Sequence, residues 1–207
     1  MLYTLPLAPL ILILSETVLG VNGLTIRTPD DLVSFSISVN SGTDYSGTTV
    51  YLDSDIDFAL SSQQFDPIGN EGNYFKGVFD GQGHIISNLA LTSSSFQNVG
   101  FFGFSEGLTV KNLLFDESCF FTSSYTSTST YGIVGSSVGN CRACTVENII
   151  NMGNIVFSGT VNYLSLGGIA GIFWPLNTVR NCANYGHIKQ SGTANNNGYV
   201  GGGCWAM

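Results

Sequence analysis

The chain repeats a short phrase, which reads TVKN at residues 109–112, TVEN at 145–148 and TVRN at 178–181. The copies begin about 36 and 33 residues apart, and a fixed period of this size is typical of stacked-repeat proteins. The last two copies agree further, because asparagine, glycine, isoleucine and serine recur at matching positions of 148–159 and 181–192. The repetition predicts a solenoid in which each coil packs on the next one.

A glycine-spaced apolar phrase precedes each copy: GFFG at 100–103, GIVG at 132–135 and GIAG at 168–171. We interpret the glycines as points of close strand approach and each TVxN asparagine as a corner residue in left-handed backbone. The pattern predicts an all-β fold, a right-handed parallel β-helix.

The phrase IISN at 85–88 resembles a still earlier copy. It lies about 24 residues before the first clear copy, and this step predicts a bare coil of roughly 22–24 residues with three short strands. Longer coils would then carry an inserted hairpin or loop.

Composition agrees with one sizeable β domain. The chain has 207 residues, of which 43% are hydrophobic and only 10% are charged, and 26 are glycines. β-branched, aromatic and turn-forming residues dominate over helix formers, as is usual in all-β proteins. The formal net charge is −8, which repels phosphate backbones, so no nucleic-acid partner is expected.

The first twenty residues differ from the rest. An apolar run at 5–14 is followed by a more polar stretch that ends in Val18-Leu19-Gly20. This order predicts a secretory signal peptide at 1–20, although no basic residue precedes the run. A buried strand or an uncleaved anchor is the alternative. The mature domain would comprise residues 21–207 in a secreted or extracellular surface protein, without a transmembrane span once the signal is removed.

Both ends of the predicted solenoid carry signals. Thr28 as N-cap, Pro29 at the first helical position and acids at 30–31 favour a short helix that ends near residues 40–42. Such a helix would cover the open N-terminal edge of the solenoid. The apolar residues at 32–39 also fit the alternating spacing of a strand, which is the alternative. At the other end, residues 199–202 open another repeat that stops at Met207. We expect an incomplete, uncapped C-terminal coil that could pair with another chain.

These phrases resemble the repeats of GLUG-motif proteins, which are named for a Gly-Leu-x-Gly-like signature in bacterial and protist surface proteins. The three glycine phrases carry the signature, and residues 50–69 and 75–89 look like the family's opening module. The resemblance covers most of residues 24–203. It implies a right-handed parallel β-helix in a secreted or surface-anchored protein, beside adhesins in some members and metallopeptidase domains in others. Because the module has no catalytic residues of its own, the resemblance implies none here.

Acidic residues suggest only weak candidate sites. Asp53, Asp55 and Asp57 alternate along one predicted strand face and are weak candidates for a cation site. An EF-hand would need glycine and an acid where Phe58 and Gln64 stand, so that motif is excluded. We interpret the three acids otherwise as a solvated outer face. The glycine turn between Asp80 and His84 is interpreted as structural, and no metal, cofactor or catalytic group is predicted.

Aromatic residues suggest a binding surface. Phe173 and Trp174, before Pro175, interrupt the repeat and predict a loop tip that could stack on a sugar ring. Trp174 is the residue that we would test first, and core packing is the alternative role for most of the other aromatics. The remaining candidates are Tyr125, Tyr131, Tyr163, Tyr185 and Tyr199.

Five cysteines leave at least one unpaired if disulfides form. Cys141 and Cys144 have the spacing of a redox or zinc motif, but no second pair of cysteines or histidines lies at ligand spacing. Cys182 occupies the repeat position of Ile149 and is predicted to be a small buried hydrophobe.

The sequence favours a secreted or cell-surface repeat protein without enzymatic activity, acting in adhesion or as a structural element. Host or environmental glycans or proteins are the expected partners, and glycan binding is the most specific expectation. A polysaccharide-active β-helix lyase or hydrolase is the enzymatic alternative, and it would cluster acids on one sheet face. A third alternative is a fragment of a larger surface protein.

Overall fold

A computed structural model describes residues 23–206, with side chains up to residue 203, and the predicted signal peptide at 1–20 lies outside this range. The described residues form a parallel β-solenoid of about five turns and one short N-terminal helix, as the sequence predicts. Within this range no helix is long and apolar enough to cross a membrane.

The strands, numbered β1–β23 in chain order, stack into four larger sheets and one two-stranded sheet, and all of the pairings are parallel. The first sheet contains β1 (Gly23–Ile26), β2 (Thr49–Leu52), β3 (Ile56–Asp57), β4 (Val78–Asp80), β5 (Ile85–Ser87), β9 (Thr109–Phe115), β13 (Thr145–Asn151), β18 (Thr178–Arg180) and β19 (Ala183–Asn184). The second contains β6 (Ala90–Ser93), β10 (Phe120–Ser123), β14 (Asn154–Phe157) and β20 (Ile188–Gln190). The third contains β7 (Asn98–Val99), β11 (Tyr131–Gly135), β16 (Tyr163–Gly167) and β22 (Gly198–Gly201). The fourth contains β8 (Phe102–Glu106), β12 (Val138–Arg142), β17 (Ala170–Phe173) and β23 (Cys204–Ala206), and the small sheet contains β15 (Thr160–Val161) and β21 (Thr193–Ala194).

The coil is longer than the sequence predicts. Successive partners in the first sheet are Gly23, Thr49, Val78, Thr109, Thr145 and Thr178, so one coil takes roughly 26–36 residues, within the range of solenoid repeats. The prediction of a three-stranded bare coil of 22–24 residues is wrong. The IISN phrase at 85–88 pairs with the second half of β9 rather than with its TVKN start, and a full coil contributes a strand to each of four sheets.

One glycine phrase belongs to a different strand from the other two. In the strand register, the first and third phrases align with SSVG at 136–139, whereas the second lies one strand earlier, in β11. Ser136 thus stands where its neighbours have the first glycine. Its hydroxyl donates to the carbonyl of Gly168 at 2.7 Å, so the serine side chain links the two coils.

The corner asparagines take the predicted conformation. Asn88, Asn112, Asn148 and Asn181 have positive φ of 54°, 55°, 53° and 54°, in the left-handed region that asparagine tolerates better than most residues. Asn148 Nδ2 donates to Asn112 Oδ1 at 2.8 Å. Asn112 Nδ2 in turn donates to Asp80 at 3.0 Å. The corners therefore stack and exchange hydrogen bonds between coils.

Large aromatic side chains fill the interior. Phe101 is fully buried and contacts Phe65, Phe79, Phe102 and Phe115, with ring centroids 5.2–5.5 Å apart. Other fully buried phenylalanines continue the core along the solenoid, namely Phe75, Phe121 and Phe157. Since coil stacking excludes water from the inside, the core carries most of the hydrophobic stabilisation.

Helix α1 (Pro29–Asn40) covers the N-terminal coils, as the sequence predicts. Thr28 Oγ1 accepts the Asp31 amide at 3.1 Å, and the Asp31 carboxylate accepts the Thr28 amide at 2.9 Å, which forms a capping box. Asn40 at the other end donates to the carbonyl of Pro67 at 3.0 Å. The buried face consists of Leu32, Val33, Phe35, Ser36 and Val39.

Loss of the helix cap should destabilise the fold moderately. We expect Thr28→Ala to lower the free energy of unfolding by about 1 kcal/mol, because the Asp31 amide loses its acceptor. Urea denaturation followed by circular dichroism measures the change. Thr28→Ser keeps the hydroxyl and should lie close to the wild type; equal destabilisation of both variants would contradict a capping role.

The last coil, β18 to β23, has partner strands on one side among the described residues. Several of its apolar side chains are exposed, including Val179 and Val200. Pairing of this edge with another chain stays a prediction.

Candidate binding surface

The two residues predicted to stack on sugars lie in different environments. Phe173 is the last residue of β17 and is only 3% exposed within the core. Trp174 follows it outside the strand and is partly exposed. All four residues of β17 are buried, so the ring of Phe173 packs inside the solenoid rather than at a loop tip. Trp174 remains a candidate.

Trp174 lies beside an arginine on the neighbouring coil. The guanidinium carbon of Arg142 is 5.0 Å from the centroid of the Trp174 ring and 5.5 Å from that of Phe104, within the range of cation–π attraction. The indole Nε1 donates to Asn140 Oδ1 at 2.8 Å. Trp174 is thus held against the solenoid on two sides.

A disulfide turn positions the arginine. Cys141 and Cys144 form a disulfide across the end of β12, so Arg142 lies within a short closed turn. The loop after Trp174 is bonded to that turn, because Asn177 accepts from the Cys144 amide at 2.6 Å and donates to the Cys141 carbonyl at 3.0 Å. These contacts place Trp174 and Arg142 in one rigid surface.

The surface continues on the other side of Phe104. The rings of Tyr74 and Phe104 meet edge to face with centroids 5.5 Å apart. Lys76 Nζ lies 5.2 Å from the centroid of Tyr74, and the Tyr74 hydroxyl is 3.5 Å from Glu106 Oε2. We call Tyr74, Phe104, Arg142 and Trp174 the aromatic row. It crosses consecutive coils, with the buried Phe104 beneath and Tyr74 and Trp174 partly exposed at its ends.

Sequence reasoning missed three members of this row. Tyr74, Phe104 and Arg142 come from segments that are far apart in the chain, and the basic residues form no visible cluster in the sequence. The signal that could have found the row is the repeat register, since Phe104 pairs with Asn140 and Glu106 with Arg142 on adjacent coils. A correct alignment of the glycine phrases would have placed them side by side.

The other candidate aromatics lie elsewhere. Tyr131 and Tyr163 stack with centroids 4.9 Å apart on the third sheet. The hydroxyl of Tyr125 is 3.2 Å from that of Thr130. Tyr185 and Tyr199 are exposed on the last coil. These rings do not join the aromatic row.

The three candidate cation ligands each bind a different group. Asp53 pairs with Arg27 at 2.9 Å. Asp55 accepts the Ile85 amide at 2.9 Å and lies 3.0 Å from His84 Nδ1. These hydrogen bonds hold the pKa of the Asp55 carboxyl below its usual range.

Asp57 is bonded in the same way. It accepts from Asn88 Nδ2 at 2.8 Å and from the Ala59 amide at 2.9 Å, and both bonds lower its pKa. Over residues 23–206 there is no group of three or more His, Cys, Asp or Glu side chains suited to a metal ion. Asp53 and Asp55 lie between β2 and β3 rather than on one continuous strand with Asp57, and all three carboxylates are engaged in ion pairs or hydrogen bonds.

Asp80 belongs to a row of alternating charge. Asp80, Lys111, Glu147 and Arg180 are successive partners in the first sheet, with ion pairs of 3.1 Å between Asp80 and Lys111 and 2.7 Å between Glu147 and Arg180. Partial burial raises the pKa of Asp80, but hydrogen bonds from Asn112, the Gln82 amide and Lys111 outweigh it, so the net pKa is lowered. The side chains around this turn serve coil stacking.

Burial raises the pKa of the two remaining described thiols. Cys119 is buried, and desolvation raises its pKa to about 12. Cys182 is partly buried against the core, and desolvation likewise raises its pKa. Since the thiolate is the nucleophile and the metal ligand, both are poor candidates for chemistry. Cys182 is less buried than predicted because it lies on the last coil.

Comparison with known proteins adds a fold neighbour. A scan against models of protein families and a search of curated proteins found no match. The crystal structure of a "putative immunoglobulin A1 protease" from Bacteroides ovatus is similar, with a TM-score of 0.54 and 17% sequence identity over 89% of this chain. This chain spans 63% of the length of that structure. At this identity the likeness shows the fold alone.

Proposed function

We propose that the chain is a repeat module of a secreted or cell-surface protein that binds polysaccharide along its side without cleaving it. The aromatic row carries the proposal. Two partly exposed rings, Tyr74 and Trp174, lie at the ends of a surface held rigid by Arg142 and a disulfide turn. Flat rings flanked by hydrogen-bonding groups suit pyranose units, which present one apolar face and a rim of hydroxyls.

The disulfide is consistent with an extracellular location for this polysaccharide-binding role. A disulfide between Cys141 and Cys144 favours an oxidising environment, in agreement with the predicted signal peptide at 1–20. The resemblance to GLUG-motif repeats of surface proteins supports the same location. An adhesive or structural role then follows from a long, rigid side surface of the kind that solenoids present.

The bonding of the acidic residues argues against cleavage of the polysaccharide. Asp55, Asp57 and Asp80 each bond a separate neighbour, whereas glycoside hydrolysis uses two carboxyl groups about 5–9.5 Å apart across the bond. The protease name of the fold neighbour belongs to that protein, and no peptidase step is proposed here.

Removal of the Trp174 ring tests the proposal. We expect the purified chain to be retained by at least one of cellulose, xylan, mannan and chitin, and Trp174→Ala to weaken that retention about tenfold, the loss of roughly 1.4 kcal/mol of binding energy. Affinity electrophoresis measures retention, and a reducing-end assay on the same samples detects cleavage.

Leu176→Ala is the matched control, since Leu176 lies in the same loop, is 88% exposed and lies outside the aromatic row. It should bind as the wild type does. Retention that is unchanged in Trp174→Ala would remove the aromatic row as the binding surface. New reducing ends would overturn the non-enzymatic function.

A further inference from the structure

A small cleft opens beside the aromatic row. It is lined by residues 69–71, from the loop before β4, and by residues 95–98, which lead into β7, and its volume is about 170 Å³. Gly69, at the edge of the cleft, lies close to the backbone of two residues of the row, because a Cβ at this position would lie 2.5 Å from the Phe104 carbonyl oxygen and 3.3 Å from the Tyr74 Cα. A ligand chain lying on the row could thus place its end in the cleft.

Asn98 lines the cleft, and its side-chain oxygen has no hydrogen-bond partner among the described residues. Asn98 is 9% exposed, and its Oδ1 is one of three buried side-chain polar atoms without a hydrogen bond among the described residues. The other two, on Ser105 and Ser137, do not line this cleft. A buried carbonyl oxygen without a partner is unfavourable unless a water or a bound group supplies the hydrogen bond.

A second cleft differs from the first in the hydrogen bonding of its polar side chains. It lies along helix α1 and has a volume of about 210 Å³. Two of its polar side chains are bonded to the protein itself, because Ser36 donates to the Asp66 carbonyl at 2.9 Å and Asn40 to that of Pro67 at 3.0 Å. These two side chains help to fix the helix, whereas the Oδ1 of Asn98 has no hydrogen-bond partner among the described residues.

We propose that the cleft beside Asn98 binds one neutral pyranose unit, the end of a polysaccharide that lies on the aromatic row. The proposal rests on the proposed function and adds the sugar class. The volume is smaller than the ~300–1,000 Å³ of pockets for drug-sized ligands, which limits the occupant to about one ring. Phe96 offers a partly exposed apolar ring, and Gln97 and Asn98 offer carboxamides that can donate to and accept from hydroxyls.

Charge selects the class of sugar. Glu71 lines the cleft, and no basic side chain does. A carboxylate accepts hydrogen bonds from sugar hydroxyls and repels a uronate or a sulfated unit. The cleft is therefore suited to a neutral hexose rather than to an acidic sugar.

The test is a titration of the isotope-labelled full chain, followed by amide chemical shifts. The probes are methyl β-D-glucopyranoside, methyl α-D-mannopyranoside and methyl β-D-galactopyranoside, with sodium glucuronate as the acidic probe. At least one neutral glycoside should shift the amides of 69–71 and 95–98 with a millimolar Kd. Asn98→Ala and Gln97→Ala should each weaken that binding about tenfold, and glucuronate should leave these amides unshifted.

Two controls distinguish a loss of sugar binding from a loss of folding stability. Gln64→Ala removes a matched glutamine from the second cleft and should not change the titration. Asn98→Ala should retain the melting temperature, because it removes an unsatisfied group. Absence of shifts at 95–98 with all three neutral glycosides would overturn the proposal, as would glucuronate binding of equal strength or undiminished binding by both variants.

The inference and the proposed function fail in different ways. If polysaccharide retention depends on Trp174 but no glycoside shifts the amides of 95–98, the cleft is not a sugar site, and the aromatic row is still the binding surface. If a glycoside shifts the amides of 95–98 but polysaccharide retention is unchanged in Trp174→Ala, the cleft binds sugar and the aromatic row is not the binding surface.

Discussion

Phe101→Ala should lower the free energy of unfolding by about 3–5 kcal/mol, the range for truncating a buried phenylalanine. Phe101 is fully buried and contacts four other phenylalanine rings, which come from its own coil, from the next coil and from the loop before β4. Its removal leaves a cavity that the rigid coils on either side cannot close. Urea denaturation followed by far-ultraviolet circular dichroism measures the loss, and thermal melting should show a decrease of roughly 6–20 °C.

The matched control for this variant is Phe120→Ala. Phe120 is 44% exposed on the outer side of the second sheet, so the same truncation should cost less than about 1 kcal/mol. Equal destabilisation by the two substitutions would contradict the conclusion that stacked aromatic rings inside the coils hold the solenoid together.

Gly135→Ala should destabilise the protein by about 1–3 kcal/mol, as overpacking of a tight interior usually does. A Cβ at this position would lie 2.3 Å from the Val138 carbonyl oxygen and 2.6 Å from the Gly171 amide nitrogen. Both neighbours are backbone atoms in paired strands, so neither can rotate away. The change is measured by the same denaturation experiment.

Gly202→Ala provides the comparison, since a Cβ there would meet no atom within 4 Å. Restricting the unfolded chain should make this variant neutral or more stable by about 0.4–1 kcal/mol. A stable Gly135→Ala protein would mean that the third and fourth sheets do not approach as closely as the geometry requires.

Local chemistry made some elements predictable. The N-cap at Thr28 and the acid three residues later specify a helix start wherever they occur, and the helix forms there. The asparagine of each TVxN phrase predicted a corner in left-handed backbone, and Asn112, Asn148 and Asn181 adopt it. These features depend on a few neighbouring residues, so a single sequence is sufficient to find them.

Strand register was harder to predict. The second glycine phrase has the same spacing as the other two but lies one strand earlier, and the IISN phrase at 85–88 pairs with the later part of β9. Short apolar phrases recur in neighbouring strands of one coil, so similarity alone does not tell a repeat from an adjacent strand. Backbone pairing between coils resolves the ambiguity.

The candidate site likewise combines features that the local sequence predicts with features that depend on tertiary packing. Trp174 was predictable because it interrupts the repeat, but the burial of Phe173 beside it depends on how the coils pack around β17, all of whose residues are buried. Arg142 and Tyr74 reach the surface around Trp174 from distant parts of the chain. Asn98 belongs to no motif, and the burial of its side-chain oxygen without a hydrogen-bond partner results from how the coils pack around it.

By itself, the sequence determined the solenoid class, the capping helix and the corner asparagines, because each is specified by contacts that are local or repeated at a fixed period. Only the tertiary structure decided the length of the coil, the composition of the aromatic row and the cleft beside Asn98. The physical reason is that stacking brings residues about one coil apart into contact across parallel strands, and the register of that stacking depends on the packing of the whole interior rather than on any one phrase.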